Sequence, residues 1–405
     1  MINRRVLGLG GSAFVATLQG ARQVRAQAAP KTITIAASML GEPLRGPKLN
    51  AILEEFNASQ KDFVVKPVTV PFSSFGTAMF TQMGAGGGPD IIAFDQPNIY
   101  AAVAANRLLS LDEAVKGITL LPGNNSLKIK GVQYGVALDI GNYALIYNPE
   151  LVKKIPTTFA ELMAEAKAQT ANGNFGYAFR HTRAEEAGMW YDLSNFVYGY
   201  GGNWSKDGTP TINADATLAG VRAYKEIYDA GVIPRGADAA TYRRMFASGK
   251  IAMMVDNGGV PTVLKGTNPN TPIGVALAPF PTKNIGQVMA ALAVNANSKA
   301  PDAAMAFMRW FLGKGPQTTV QGFLGGSTVA TPVPRTKEEL DASPYIKVFD
   351  SVSDVALPFM PPGLEVQTPQ IRGIVVEQVL LALQGQVELK AALDEAQKRV
   401  LALPR

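Results

Sequence analysis

Polar side chains stand just past apolar, strand-like runs at five places in the chain. Ser38 and Glu42 follow 32–37. Asp95 and Gln96 follow 91–94. Asp139, Asn142 and Tyr143 follow 136–138. Arg180, His181 and Arg183 follow 175–179, and Asp256 and Asn257 follow 251–255. In open α/β sheets ligands gather beyond the carboxyl ends of strands, so these are the positions where binding chemistry is expected. Carboxylates and amides exchange hydrogen bonds with vicinal hydroxyls, and an aromatic face covers the C–H face of a sugar ring. That chemistry suits a polyhydroxylated solute held in an apolar pocket with a few fixed polar groups. The candidate ligand-binding residues are Glu42, Asp95, Gln96, Asp139, Tyr143, Arg180, His181, Trp204 and Asn257, with Trp204 as the favoured aromatic wall.

Each candidate has a competing structural role. Asp95 and Asn257 are equally suited to cap the helices that follow them. Glu42 also fits a solvated loop. Trp190 and Tyr191 lie in a helical stretch, where core packing competes with ligand contact, and Trp310 lies beside an apolar helical stripe. Arginine grips carboxylates and phosphates bidentately, so Arg180-His181-Thr182-Arg183 would select an anionic solute such as a sugar acid or a phosphorylated polyol. The opposing expectation is that Glu185, Glu186 and solvent satisfy these basic groups.

Other chemistries lack their residues. The chain has no cysteine and one histidine, His181. Disulfides, thiolate ligands and cysteine nucleophiles are excluded, and a Ser-His-Asp triad or multi-histidine zinc site has almost nothing to be built from. No nucleophile elbow, HExxH or phosphate-binding loop spacing occurs. Gly86-Gly87-Gly88 is not followed by Lys-Ser/Thr and reads as a turn. No metal or cofactor is expected, and no enzymatic activity. Two converging carboxylates serving an exported glycan-active enzyme is the competing class.

The elements that must carry these residues fit into 405 positions, enough for two or three domains. Hydrophobic residues make up 47% and charged ones 17%, below the usual ~25% charged, which implies a sizeable core. The order of elements over 32–108 is strand, helix, strand, helix, strand, helix, with Pro67 suiting an edge strand. A second series starts near Tyr143. Thr158 with Glu161 marks a capping box, Gly231 suits a helix C-cap and Pro234 a stop. Helices over 370–383 and 387–401 close the chain without strands of their own. They must pack on a lobe already built, so the chain crosses between lobes more than once. The fold class expected is α/β, with a mainly parallel sheet in the domain over 32–108 and a second α/β unit after it.

Met1–Arg5 is short and basic, 6–18 is mildly apolar, and Ala26-Gln27-Ala28 has the A-x-A form of a signal-peptidase site. An export signal over 1–28 is expected. Arg4-Arg5-Val6-Leu7 resembles the core of a twin-arginine signal, and both the twin-arginine and the general secretory route fit. The same stretch contains Gly8-Leu9-Gly10-Gly11-Ser12-Ala13, but a dinucleotide site would need an acid ~20 residues on, and the first acid is Glu42. Those 28 residues hold four arginines and no acid, so without them the net charge falls from +6 to +2 (34 basic against 32 acidic). No nucleic-acid footprint remains.

Six segments in register resemble the extracellular solute-binding proteins of ABC importers, family 1, to which maltose-binding protein belongs. They are Gly88-Pro89-Asp90-Ile91-Ile92, Gly131 to Val136, Leu145-Ile146-Tyr147-Asn148, Leu151 to Lys154, Pro156-Thr157-Thr158-Phe159 and Phe246 to Met253. The last is the most specific. The chain departs at Ala137, where the family pattern has proline, at Phe159, where it has tryptophan, and at Asp256-Asn257-Gly258, where many sugar binders carry an aromatic. These departures put a large oligosaccharide ligand in doubt. The resemblance implies a type II-like periplasmic-binding-protein fold with discontinuous lobes: 29–139 plus 284–345 as lobe 1, and 140–283 plus 346–405 as lobe 2. It implies solute held between the lobes and membrane permease subunits as partners. A periplasmic monomer is expected, without the cysteine that a lipoprotein anchor would need.

Overall fold

The computed structural model describes residues 30–42, 44–70 and 74–404. The expected export signal lies outside the described residues. The first lobe opens with β1 (Lys31–Ala36), β2 (Phe63–Val68) and β3 (Ile91–Asp95), joined by helices Gly46–Ser59 and Phe75–Gly84. Leu49, Ile52, Leu53 and Phe56 are buried along one face of the first helix, spaced as a 3.6-residue period requires. β2 pairs only with β1, so Pro67 sits on an edge strand, where its missing N–H costs no ladder bond.

A small hairpin, β4 (Lys128–Ile129) and β5 (Val132–Gln133), precedes the long strand β6 (Val136–Tyr147). Next come β7 (Phe175–Ala178), a second hairpin of β8 (Ser205–Lys206) and β9 (Thr209–Pro210), then β10 (Ile251–Asn257) and β11 (Gly274–Ala276). β12 (Ile285–Val294) and β13 (Ala356–Pro358) complete the strands. The order is β2-β1-β3-β12-β6-β10-β7, with β11 on β6 and β13 on β12. The strands of 32–108, β2-β1-β3, pair in parallel as expected, while the sheet as a whole is mixed. β12 runs antiparallel to both β3 and β6, and β6 antiparallel to β10. The reason is length. β6 has 12 residues, roughly 40 Å of strand. β6 and β12 pass between lobes and return, and a returning strand pairs antiparallel.

Two separate cores follow. One holds Ile33, Phe56, Met79, Phe94, Leu138, Met289 and Phe307. The other holds Tyr143, Leu145, Trp190, Phe196, Tyr224, Val375 and Leu393. Ala144 and Ile146 point to a third cluster with Phe246, Met254 and Phe349 on the opposite face of β6, as strand alternation demands. Along β6 the core changes between Ile140 and Tyr143, and along β12 between Ile285 and Met289.

The change-over is tied together by Asn142, which is buried. Its Nδ2 donates to the Phe349 carbonyl (2.9 Å) and Ser353 Oγ (3.0 Å), and its Oδ1 accepts from Gln287 Nε2 (2.9 Å). Its own carbonyl accepts from Gly258 N–H at 3.0 Å. Gly326 N–H then donates to the Gly258 carbonyl at 2.7 Å, an approach so close that a Cβ on Gly258 would stand 2.6 Å from the Gly326 carbonyl carbon. β6, β12 and the 326–349 stretch thus meet at one hinge.

Most of the motif residues turn out to be scaffold. Asp90 accepts from Thr34 N (2.7 Å), Thr34 Oγ1 (2.9 Å) and Ser298 Oγ (2.6 Å), pinning the start of β3 to its neighbours. Gly249 has φ +74 and closes its helix with Lys250 N–H bonded to the Met245 carbonyl, the αL cap that glycine permits. Thr158 Oγ1 accepts from Glu161 N–H as expected, but the Glu161 carboxylate reaches Thr157 N–H (2.9 Å), one residue earlier than a capping box.

The cleft between the lobes

Three polar residues of the first lobe meet beside the hinge. Arg45 donates from Nε and Nη2 to the two carboxylate oxygens of Glu42 (2.5 and 2.8 Å) and from Nη1 to Asp139 Oδ2 (3.1 Å). Glu42 and Asp139, both expected, are brought together by an arginine that strand-end reasoning passed over. Arg45 faces the second lobe, since a Cβ on Gly259 would stand 3.7 Å from its Nη1. Burial raises the Asp139 carboxyl above its ordinary value, against the pull of Arg45 and the Ser327 hydroxyl. Asp139 Oδ1 lacks a hydrogen bond of good geometry.

Asp95 caps the helix Gln96–Ala104 by accepting from Asn98 N–H (3.0 Å). Burial raises its carboxyl too, opposed by the Asn98 N–H and by the Arg372 guanidinium across the cleft. Gln96 is buried and donates to Ser126 Oγ at 2.7 Å. On the second lobe Tyr191 lies close enough for Asp95 and Arg372 to act on its phenol, which burial raises. One face of the Tyr191 ring stacks on Phe359 at 4.7 Å. Arg372 Nε donates to Glu186 Oε1 at 3.1 Å. Asn257 Oδ1 accepts from Gly259 N–H (3.0 Å) and Nδ2 donates to Asp256 Oδ1 (3.2 Å), so its amide closes the turn into helix Val260–Thr267.

Four expected positions lie elsewhere. Trp204 is fully buried, stacked on Trp190 at 4.6 Å, and its indole N–H donates to Ser194 Oγ at 2.8 Å. It is a core residue and not the aromatic wall, because a helix and the β8–β9 hairpin close over it. Tyr143 is equally buried, edge-on to Phe359 at 5.3 Å. Arg180 is sealed beneath the cleft. Its Nη1 meets Asp192 Oδ1 at 2.8 Å and its Nη2 lies 3.8 Å from Asp256 Oδ2, which Arg243 also grips at 2.7 Å. The acids that satisfy Arg180 are therefore Asp192 and Asp256, and not Glu185 or Glu186. His181 is locked between the Phe179 carbonyl (3.0 Å, at Nδ1) and Gly236 N–H, which donates to Nε2 at 2.8 Å. Burial lowers its pKa, keeping the ring neutral.

Strand-end reasoning does not reach Arg45 or Arg372, and it leaves Tyr191 between core and ligand contact. Glu42 and Arg45 share the i, i+3 spacing of a local ion pair, which is a usable signal. Arg372 had none, because it sits on a C-terminal helix far in sequence from every strand end.

Two lobes hinged on shared strands, with a polar cleft between them, define a hinge-closing binding protein. The chain belongs to the bacterial extracellular solute-binding protein family, whose model matches residues 42–318. A protein of Brucella abortus named as a binding protein is 24% identical over 331 residues, covering 77% of this chain and 78% of that one. Two solved structures share the fold. A maltose-bound protein of T. maritima is 21% identical with TM-score 0.80, covering 91% of this chain and 99% of that one. A mannitol-bound ABC transporter solute-binding protein of Agrobacterium vitis is 19% identical with TM-score 0.75, covering 93% and 100%. Among the described residues no helix is long and apolar enough to cross a membrane, and no group of acids and histidine is arranged to hold a metal ion.

Proposed function

We propose that this chain is the exported, periplasmic binding component of an ABC importer. It captures a small neutral sugar or polyol between its lobes and presents it to the membrane permease as a non-enzymatic monomer. The lobes are 29–139 plus 284–345 and 140–283 plus 346–405, joined at Asn142. Glu42, Arg45, Asp139, Asp95 and Gln96 bind from the first lobe, and Tyr191, Arg372 and Asn257 from the second. The free face of Tyr191 covers a ring or carbon chain, and the carboxylates accept from its hydroxyls. Ligand closes the lobes because it touches both and so binds the closed arrangement better.

The observation that carries the neutral assignment is that every arginine near the cleft already has an acid of the protein. Arg45 has Glu42 and Asp139, Arg372 has Glu186, and Arg180 and Arg243 have Asp192 and Asp256. A sugar acid or phosphorylated polyol would meet these carboxylates without an unmatched cation. Calorimetry on unfolded and refolded protein tests this with D-mannitol, maltose, galacturonate and glycerol 3-phosphate. Heat with mannitol or maltose supports the reading. Binding confined to the two anions overturns the solute class, and product formed from a glycoside overturns the non-enzymatic role.

A further inference from the structure

The segment that carries Glu42 and Arg45 also carries Leu44, an apolar side chain left 44% exposed. Leu44 rests on the second lobe at Gly266, in helix Val260–Thr267. A Cβ on Gly266 would stand 2.1 Å from Leu44 Cδ1 and 3.1 Å from its Cγ. Gly266 is not among the glycines with positive φ, so its backbone conformation would suit alanine. Glycine inside a helix is the poorer choice on propensity. In this arrangement Leu44 fills the space that a side chain at Gly266 would take.

The position along the helix gives the contact leverage. The helix starts at Val260, two residues after the Gly258–Gly326 contact at the hinge. Gly266 is six residues into that helix, roughly 9 Å along it at 1.5 Å per residue. Rotation of the lobes about the hinge parts Leu44 from Gly266 while leaving the Gly258 contact in place. The contact thus belongs to the closed arrangement alone.

We infer that Leu44 and Gly266 form a closure latch, an affinity-determining pair that never touches the solute. Apparent affinity scales with the fraction of protein in the binding-competent arrangement, so the latch sets how tightly solute is held. The inference rests on the hinge-closing reading above and is independent of which solute binds.

The test uses Gly266→Ala, Leu44→Ala and the double variant in the full mature chain. Each single change is expected to weaken D-mannitol or maltose binding about three- to tenfold. The double variant is expected to bind no worse than Leu44→Ala alone, because removing the leucine makes room for the new Cβ. Additive losses, or no losses, overturn the latch. The chain has no cysteine, so Lys61→Cys and Lys206→Cys place one spin label on each lobe, both at exposed positions. In Gly266→Ala the label separation is expected to shift toward longer distances, and the double variant is expected to match Leu44→Ala alone. That shift supports the latch even where neither sugar nor polyol binds, in which case only the solute class falls. Identical distance distributions in all four proteins overturn the latch even where binding is intact. Leu44→Ala truncates an exposed side chain and keeps the test open should Gly266→Ala fail to fold.

Discussion

The molecule holds two arginine–aspartate clusters of similar composition and opposite situation. In the second lobe Arg180, Asp192, Asp256 and Arg243 are packed under the cleft, and Asp192 and Asp256 are almost wholly removed from solvent. In the first lobe Glu42, Arg45 and Asp139 stand at the cleft wall, with Glu42 about a third exposed (36%). The same residue types at comparable strand ends therefore do different work. A buried pair must be complete, because removing one partner strands a charge in low dielectric. In the cleft-wall cluster Glu42 keeps access to solvent, while Asp139 Oδ1 is buried without a hydrogen bond of good geometry. The two clusters share residue types and differ in burial, Glu42 being the most solvent-open side chain of either.

The sharpest way to break this contrast is to remove one partner from each cluster. Asp192→Ala is expected to destabilise the fold by about 3–5 kcal/mol, read by urea denaturation. A loss under about 1 kcal/mol would mean that the cluster is not sealed. Trp204→Ala should cost a similar amount, about 3–5 kcal/mol, because a stacked core indole leaves a cavity. The folded fraction should bind solute unchanged, and weakened binding at full stability would return Trp204 to the cleft.

Changes at the cleft wall should act the other way round. Arg45→Ala is expected to weaken mannitol or maltose binding by at least about tenfold, with a stability loss of about 1–2 kcal/mol. Tyr191→Ala should behave likewise, losing the covering ring face. Calorimetry and thermal unfolding on the same samples separate the two effects. A variant that unfolds without losing affinity would place its residue with the buried cluster.

The smallest expected effect concerns His181. Its pKa is lowered in the folded protein, so the unfolded chain binds the proton more readily. The neutral ring's contribution is present above the ordinary histidine value of about 6.5 and is lost as pH falls from there through the lower folded value. The wild-type protein should therefore lose more stability than His181→Gln between pH 7 and pH 5 (about the histidine range). Parallel pH profiles for the two would show that the Gly236 N–H does not hold the ring neutral.

Several features were legible because they rest on local chemistry. The buried stripe of helix Gly46–Ser59, the edge position of Pro67 and the left-handed Gly231 are each fixed by nearest neighbours along the chain. Asp95 as a cap was readable for the same reason. The site was harder to read. Arg180 and His181 follow strands as ligand residues would, and both spend their hydrogen bonds on the protein itself. Whether a strand-end side chain meets solvent or a neighbouring helix depends on residues distant in sequence.

By itself the sequence determined the period of each helix and strand, the turns that glycine closes and the absence of thiol chemistry. It also carried the family, because the motif residues that mark it are caps and turns such as Asp90 and Gly249. The tertiary structure alone decided that Trp204 is core and that Arg45 and Arg372 face the cleft. It also decided that Leu44 rests on a glycine more than two hundred positions away. Caps and turns answer to hydrogen bonds within a few residues, whereas burial and cross-cleft contact exist only once the long strands have carried the chain between lobes.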